Sequence, residues 1–589
     1  MTAYNAPVAE MQFVLNEVAG LADVAALPGY EAATPDLVDA VLTEAGKFAS
    51  EVLAPLNRIG DIDGCRLANG VVTTQKGLPE AYRQFVEAGW NGLPFDPAHG
   101  GQGLPWLVQT AVLELWTGAN MAFSLCPLLT QAGVELLTEH GSAELRRMFL
   151  DRLVSGEWTG TMNLTEPHAG SDVGSLRTRA IRDGDRWRLK GQKIFITWGD
   201  HDLAPNIVHM VLARTEGAPE GIRGVSLFVV PKFMVEADGS LGARNDLRAA
   251  SLEHKLGLHG SPTAVMLYGE NDGAVAWMVG EENRGIEYMF TMMNNARLGV
   301  GIEGVAIAER AYQQARDYAL TRIQGRDIAE PKAGPVAIIR HPDVRRMLMT
   351  MRAGIEGARA LCYSTAASID LSRRHPDPTV RDRHRARADL LTPLAKAWST
   401  DIGVEAASLG LQVHGGAGYI EETGAAQHYR DARIAPIYEG TNGIQALDLV
   451  RRKVAADGGA AMGATIAELR ATAAALGREA RAAALAAALT MAIDALERAT
   501  GWMVDAAAAD PRAAAAGATP YLRLAAIAVA GGLTGRAALA AHVADTPFNL
   551  AKRATADFFA DAYLAHAPAL AAQATAGAET VMALADDQF

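Results

Sequence analysis

Cysteine is scarce in this chain of 589 residues: Cys65, Cys126 and Cys362 are the only three, and they lie far apart. They form no CxxC pair and no Cys/His cluster, which argues against a disulfide framework or a structural zinc; no metal site is expected. Aromatic residues are also few, at 6%, while Ala is abundant, so helix should dominate over strand. Positive charge is not in excess. Lys and Arg number 54 against 67 Asp and Glu, a formal net charge of −13 that speaks against a general affinity for nucleic acid or for an anionic membrane. The balance says little about a small phosphate-bearing ligand, which a few local Arg or Lys can hold. The first stretch, MTAYNAPVAEMQFVLNEVAG, carries Glu10 and Glu17 and has no basic n-region. No signal or transit peptide and no apolar run of about 20 residues is read, so a soluble, cytoplasmic protein without a membrane span is expected.

The remaining composition is that of a globular protein, with 49% apolar and 21% charged residues. The length is too great for one hydrophobic core and suits roughly three or four domains. Apolar residues at three- and four-residue spacing mark helices from the start to about residue 160, as in LVDAVLTEAGKFASEVL from Leu37 and VQTAVLELWTGANMAF from Val108. A loop rich in Gly and Pro, GLPFDPAHGGQGLP, lies between them. The character then changes. DRWRLKGQKIFIT, PNIVHMVLART, GVSLFVVPKF and SPTAVMLYGE are short, β-rich and partly alternating, which predicts an antiparallel barrel or sandwich over residues 161–282. Helical periodicity returns from Gly285 and predicts a bundle over 283–455. From 456 to 589 the sequence is Ala-rich and poor in motifs, and reads as a separate helical extension. The fold class is therefore α+β, in the order helical, β, helical, helical.

One motif is a decoy. Gly299-Val-Gly301-Ile-Glu-Gly304 matches the GxGxxG dinucleotide pattern letter for letter, but that fingerprint needs a preceding strand and a βαβ unit, and both flanks here are helical. It reads instead as small residues where two helices touch. Four other segments carry polar and small residues of a more suggestive kind. Met162-Asn-Leu-Thr-Glu-Pro-His-Ala-Gly-Ser-Asp is a turn-rich loop presenting hydroxyls and backbone N–H groups, able to cradle a polar ring edge or a phosphate. Lys193-Ile-Phe-Ile-Thr197 places an aromatic and a hydroxyl two residues apart, on one face of a regular strand. Taken singly, these two read as a plain loop and a plain strand. Gln412-Val-His-Gly-Gly-Ala-Gly-Tyr419 ends a helix in glycines, which serve as a cap and turn or as a close approach to a ligand. Ile437-Tyr-Glu-Gly-Thr-Asn-Gly-Ile-Gln445 sets Glu439 in an otherwise apolar approach, where a carboxylate is costly unless paired or given a task.

Together, TEPHAGSD, KIFIT, QVHGGAGY and YEGTNGIQ stand in the order and at the spacing of the acyl-CoA dehydrogenase family, and the chain resembles that family from about residue 10 to 455. The resemblance implies an N-terminal helical domain, a β domain and a C-terminal helical bundle, a bound FAD, and removal of two hydrogens from the α and β carbons of an acyl-CoA thioester. It implies that Leu164 and Thr165 meet the pyrimidine side of the flavin and Thr197 its N5 edge. Phe195 stands where the family often has Trp, packing on the isoalloxazine ring without an indole N–H. Ser171 would touch the CoA pantetheine, Arg297 the CoA adenine end, and Tyr438 and Gly440 the substrate. Gln412, Gly415, Gly416 and Thr441 would approach the FAD of a neighbouring subunit. Arg322 and Gln324 match an Arg-x-Gln-Phe-Gly pattern in part, since this chain reads Arg-Ile-Gln-Gly-Arg.

Glu439 corresponds to the catalytic base. Removing an α proton requires a base held over the α carbon, opposite the group that takes the β hydride. A free Glu, with a pKa of about 4.3, is a weak base, and burial between apolar walls would strengthen it. Some relatives carry the base on the earlier helix; the corresponding segment, MNNARLG, offers Asn294, Asn295 and Ala296 and no acid.

The N-terminal YNAPVAEMQFVLNEV, the segments KLGLHGSPTAV and GEENRGIEYMF, and the extension most resemble the bacterial 3-methylmercaptopropionyl-CoA dehydrogenase-like group. That implies a short or medium acyl chain or a thioether, electron-transferring flavoprotein as partner, and an extension that favours a homodimer. An acyl-CoA oxidase would use the same Glu and flavin with oxygen as acceptor. A flavin monooxygenase of this fold would normally lack the Glu. A nucleic-acid-associated protein of the fold would need a basic face on its added domain, whereas this extension holds more acids than bases.

Overall fold

The computed structural model describes residues 3–589. Its contacts divide the chain into two compact units, one of residues 44–104 and 115–299, the other of residues 1–43, 105–114 and 300–589.

The first unit holds the β domain. Its strands are β1 (Thr159–Asn163), β2 (Arg179–Asp183), β3 (Arg186–Thr197), β4 (Ile207–Thr215), β5 (Ser226–Pro231), β6 (Leu247–Leu252), β7 (Thr263–Tyr268) and β8 (Ala274–Met278). The sheet runs β6-β7-β3-β8-β5-β4-β1, and β2 pairs with both β3 and β4, closing a ring through β3, β8, β5, β4 and β2. Most ladders are antiparallel as the sequence predicts, but β4 runs parallel to both β1 and β2. Leu189, Val211, Phe228, Met266 and Ala276 belong to one buried apolar cluster of the sheet. β4 and β5 are buried almost throughout rather than on alternate residues. For β4 the cause lies outside the ring: helix α1 (Met121–His140) lies along the strands, the Thr130 hydroxyl accepting from the Gly160 N–H at 3.0 Å and Gly133 facing the Met210 Cε. A strand covered on both faces loses its polar positions.

The second unit is helical. It contains most of α2 (Gly285–Thr321), then α3 (Pro342–Arg374) and α4 (Pro378–His414), two long helices joined by only His375–Asp377, and α5 (Asn442–Asp448). α2 meets α4 through glycine. A Cβ on Gly304 would stand 2.2 Å from the Ser399 carbonyl oxygen, and Gly403 of α4 packs against the Gly304 Cα. The GxGxxG segment is thus a helix contact in mid-helix, as its flanks predict. The Ala-rich helices α6 (Ala460–Leu476), α7 (Ala483–Ala509), α8 (Ala518–Ala540) and α9 (Pro547–Ala562) belong to this same unit. Lys552 of α9 is buried and ion-paired with Glu10 and, at 3.0 Å, with Glu356 of α3. Phe559 and Tyr563 close against Trp398 of α4, and the Tyr563 hydroxyl donates to the Thr350 carbonyl at 3.1 Å.

Two helices, Met121–His140 and Ala518–Val543, are long and apolar enough to cross a membrane by length and composition, with mean hydropathy 1.3 and 1.6. They correct the reading that no apolar run of that length exists. Both are interior helices, with 89% and 78% of the respective windows buried.

Candidate active site

In the β domain the predicted flavin residues gather at one end of β1 and β3. The Thr161 hydroxyl donates to the Thr197 carbonyl at 2.7 Å, and the Ile194 N–H donates to the Thr165 carbonyl at 2.9 Å, so the two chain segments run side by side. What fixes them is an ion pair that sequence reasoning did not single out. Lys193 is fully buried, donating from Nζ to the Leu164 carbonyl at 2.9 Å and to Glu166 at 2.8 Å. Glu166 also accepts from the Arg177 and Thr178 N–H groups at 2.6 and 3.0 Å and from the Thr178 hydroxyl at 2.6 Å. Burial pulls the Lys193 ammonium down to about 8 against the opposing pull of Glu166. Burial acts to raise the Glu166 carboxyl, but the charge and hydrogen bonds around it outweigh that and hold it below its usual range. Both residues sit inside the motifs TEPHAGSD and KIFIT, and no spacing in the sequence pairs the acid of one with the base of the other.

Phe195 departs from the plain strand the sequence suggests. The ladder between β3 and β7 slips between Lys193 and Ile196, so that two residues of β3 stand opposite one of β7. Phe195 takes φ +61° at this bulge and is 59% exposed, between buried Lys193 and buried Ile196. A bulge re-aims side chains, and here it turns a large aromatic face outward. An exposed aromatic beside half-buried Thr165 and Thr197 suits a planar heteroaromatic ring with a polar edge, so these residues fit the flavin of FAD. Ser171 lies exposed further along the same loop. Arg297 is buried rather than displayed on its helix, with its guanidinium over the Phe290 ring and donating to Asn294 at 3.4 Å.

In the helical unit, Glu439 occupies a turn just before α5, half-buried, with φ +57°. A non-glycine residue in the left-handed region costs about 1–2 kcal/mol and persists where its surroundings over-determine it. Three contacts do so. The Tyr438 hydroxyl donates to Glu303 of α2. Lys396 of α4, buried, donates to the Gly440 carbonyl at 2.9 Å and to the Asn442 side chain at 3.0 Å. The Gln445 amide donates to the Glu439 carbonyl at 3.2 Å. Asn442 ties the turn to α4 again, donating to the Ala397 carbonyl at 3.0 Å and to Asp401 at 2.9 Å. Thr441 caps α5, its hydroxyl accepting from the Ile444 N–H at 3.3 Å.

Gln412, Gly415 and Gly416 lie exposed where α4 ends, and a Cβ on either glycine would meet nothing within 4 Å. Tyr419, at 91% exposure, follows them. Arg322 and Gln324 lie on an exposed two-stranded hairpin of Ile323–Arg326 with Pro335–Ala337, pinned where the Gln324 carbonyl accepts from His341 at 2.7 Å. Tyr438 and Gly440 are both half-buried on the Glu439 turn. Lys396 and Glu303 were missed by the sequence reading, the former because a Lys in a long helix gives no signal, the latter because it lies inside the GxGxxG decoy.

Comparison with known proteins follows the same lines. Residues 38–157, 161–270 and 283–454 match the N-terminal, middle and C-terminal domains of acyl-CoA dehydrogenase, and residues 462–585 match the family described as acetyl-CoA dehydrogenase C-terminal like. The chain is 47% identical to the 3-methylmercaptopropionyl-CoA dehydrogenase of Ruegeria pomeroyi, over 95% of this chain and 96% of that protein. It is 38% identical to a butyryl-CoA dehydrogenase of Syntrophomonas wolfei, over 74% of this chain and 73% of that one. Among solved structures, Caenorhabditis elegans ACDH-11 in complex with C11-CoA superposes with a TM-score of 0.79 at 23% identity, covering 95% of this chain and 92% of that one. A Bacillus anthracis acyl-CoA dehydrogenase complexed with FAD gives a TM-score of 0.75 at 20% identity, covering 96% of this chain and 91% of that one. At those identities the two superpositions speak for the fold.

Proposed function

The chain belongs to the acyl-CoA dehydrogenase family and catalyses FAD-dependent α,β-dehydrogenation of acyl-CoA thioesters, and we propose that Glu439 is the base that removes the α proton. The observation that carries this assignment is the turn itself: a half-buried carboxylate in a strained left-handed conformation, clamped by side chains from α2, α4 and α5. Strain held in this way fixes where a side chain points, and a proton acceptor gains from being fixed before the substrate arrives. When bound, FAD supplies the acceptor for the β hydride. Phe195 would pack on the ring and Thr165 and Thr197 would hydrogen-bond its polar edge, while the Lys193–Glu166 pair holds the backbone that presents them. The Glu439 carboxylate oxygen takes the α proton.

For the substrate, we infer a short or medium acyl-CoA or the thioether 3-methylmercaptopropionyl-CoA, because the identity to the Ruegeria pomeroyi enzyme is spread over nearly the whole of both chains, extension included. Electron-transferring flavoprotein is the proposed electron acceptor. A homodimer is proposed as the assembly, with the exposed glycines before Tyr419 and the Arg322 hairpin as the surfaces a second subunit and its FAD would cover.

The test is anaerobic mixing of the purified yellow protein with a ladder of saturated acyl-CoAs and the thioether, following flavin bleaching. Rapid bleaching by one class, absent in Glu439→Gln with FAD still bound, is the expected result. Bleaching by Glu439→Gln at the wild-type rate would remove Glu439 from the base role. Bleaching only by long chains would overturn the substrate assignment.

A further inference from the structure

Glu303 is a second carboxyl beside the Glu439 turn, and the dehydrogenation described above uses it only as one of the clamps on that turn. It lies at 1% exposure in the middle of α2, between the glycines that let α2 approach α4. Its Oε2 accepts from the Tyr438 hydroxyl, and its Oε1 is buried and makes no hydrogen bond with the protein. A carboxylate so placed is poorly solvated and has one of its two oxygens unsatisfied, which favours the protonated form. The titratable and charged groups that face it are Tyr438 and Glu439 on the turn and Lys396 on α4.

Resting on the assignment of Glu439 as the base, we propose that Glu303 is a positioning residue for it, anchoring the left-handed turn through the Tyr438 hydroxyl. Two observations support this independently. The first is geometric: Tyr438 immediately precedes the strained residue, so its hydroxyl bond to α2 fixes one flank of the turn while Lys396 fixes the other through the Gly440 carbonyl. Losing one flank allows Glu439 to relax toward ordinary φ and swings its carboxylate. The second is electrostatic. Burial, reinforced by the negative charge of Glu439, pushes the Glu303 carboxyl up to about 8, against the Tyr438 hydrogen bond and Lys396, which both lower it. Near neutral pH Glu303 therefore stays protonated. When pH rises past that range Glu303 ionises, and two like charges share the site.

The experiment uses the FAD-loaded full chain, with bound flavin checked by absorbance for every variant. Glu303→Leu removes both the anchor and the charge, and kcat should fall about tenfold or more with KM within about threefold, because a misdirected base costs the chemical step rather than binding. Glu303→Gln keeps an acceptor for Tyr438 and should recover most of that kcat while losing an ionisation near pH 8 from the kcat profile. Tyr438→Phe, which deletes one hydroxyl from a buried ring, should lower kcat in the same direction and covers the case in which Glu303→Leu does not fold. A readout independent of turnover is stability against pH. A carboxyl held protonated in the fold stabilises fully below its unfolded pKa, and that contribution is lost as pH rises toward the folded value. The wild type should therefore lose stability between about pH 5 and pH 8 relative to Glu303→Gln. If Glu303→Leu and Tyr438→Phe turn over at the wild-type rate, or if Glu303→Gln keeps the high-pH ionisation, Glu303 has no such role. Glu439→Gln run alongside separates the two readings: its inactivity upholds the base assignment whatever Glu303 does, and its activity would overturn both.

Discussion

Gly304→Ala tests the close approach of α2 and α4, the packing that brings Glu303 and Lys396 to the same turn. In a solvated helix the change is stabilising, since Ala exceeds Gly by about 1 kcal/mol in helix propensity. Here the added methyl would stand 2.2 Å from the Ser399 carbonyl oxygen, 2.4 Å from its carbon and 2.6 Å from the Thr400 nitrogen. All three are backbone atoms, so no rotamer change relieves the contact and the two helices must move apart. Overpacking of this kind costs about 1–3 kcal/mol, and a backbone clash belongs at the upper end. Subtracting the propensity gain leaves a net destabilisation of about 2 kcal/mol. Gly463→Ala supplies the control, because Gly463 lies exposed within α6 and a Cβ there meets nothing within 4 Å. That variant should gain about 0.5–1 kcal/mol. Urea unfolding followed by far-UV circular dichroism, with both variants beside the wild type, reads the two signs in one experiment. If Gly304→Ala is as stable as Gly463→Ala, the helices are not in glycine-limited contact and the reasoning fails. Gly304→Ala should also slow flavin reduction, because any separation of α2 from α4 pulls the anchors of the Glu439 turn apart.

Lys193→Met leaves Glu166 buried without its countercharge and should cost about 3–5 kcal/mol, with FAD lost on gel filtration; retention of full flavin content would show that the pair does not hold the loop. Lys552→Met strands Glu10 and Glu356 together in the interior and should destabilise by a similar amount, about 3–5 kcal/mol, read as a lower thermal midpoint. An unchanged midpoint would mean that α9 is only loosely attached. Burial, with Lys232 nearby, brings both His201 and His209 down to about 3. A histidine kept neutral by the fold contributes its full stability above the unfolded pKa of about 6.5 and loses it as pH falls toward the folded value. The protein should therefore lose about 2 kcal/mol per histidine between pH 6.5 and 5. His201→Gln should flatten that slope, and an unchanged urea midpoint over the range would refute it.

The order of domains was legible because each has its own period: three- and four-residue spacing in the helices, short β-rich runs between them. Glu439 stands out in RIAPIYEG as a carboxylate in an apolar approach, but its candidate role came from the order and spacing of four motifs rather than from composition. What could not be read shares one physical cause. Lys396, Glu166 and Glu303 matter through partners far away in the sequence, and one-dimensional spacing carries no information about which helix faces which. The outward turn of Phe195 depends on a register slip against β7, a strand about 70 residues later. The apolar helix Ala518–Val543 was passed over because Ala contributes to hydropathy without looking like a hydrophobic run.

The decoy shows the same point from the other side. The glycines of GxGxxG lie in mid-helix, without the preceding strand that a dinucleotide fingerprint needs. In the fold they bring α2 into contact with α4, and the residue they enclose, Glu303, is carried to the hydroxyl of Tyr438. A stretch of small residues that lets two helices meet also determines what the side chain between those residues can reach. The chemistry of the Glu439 turn thus depends on packing residues about 135 positions earlier in the chain.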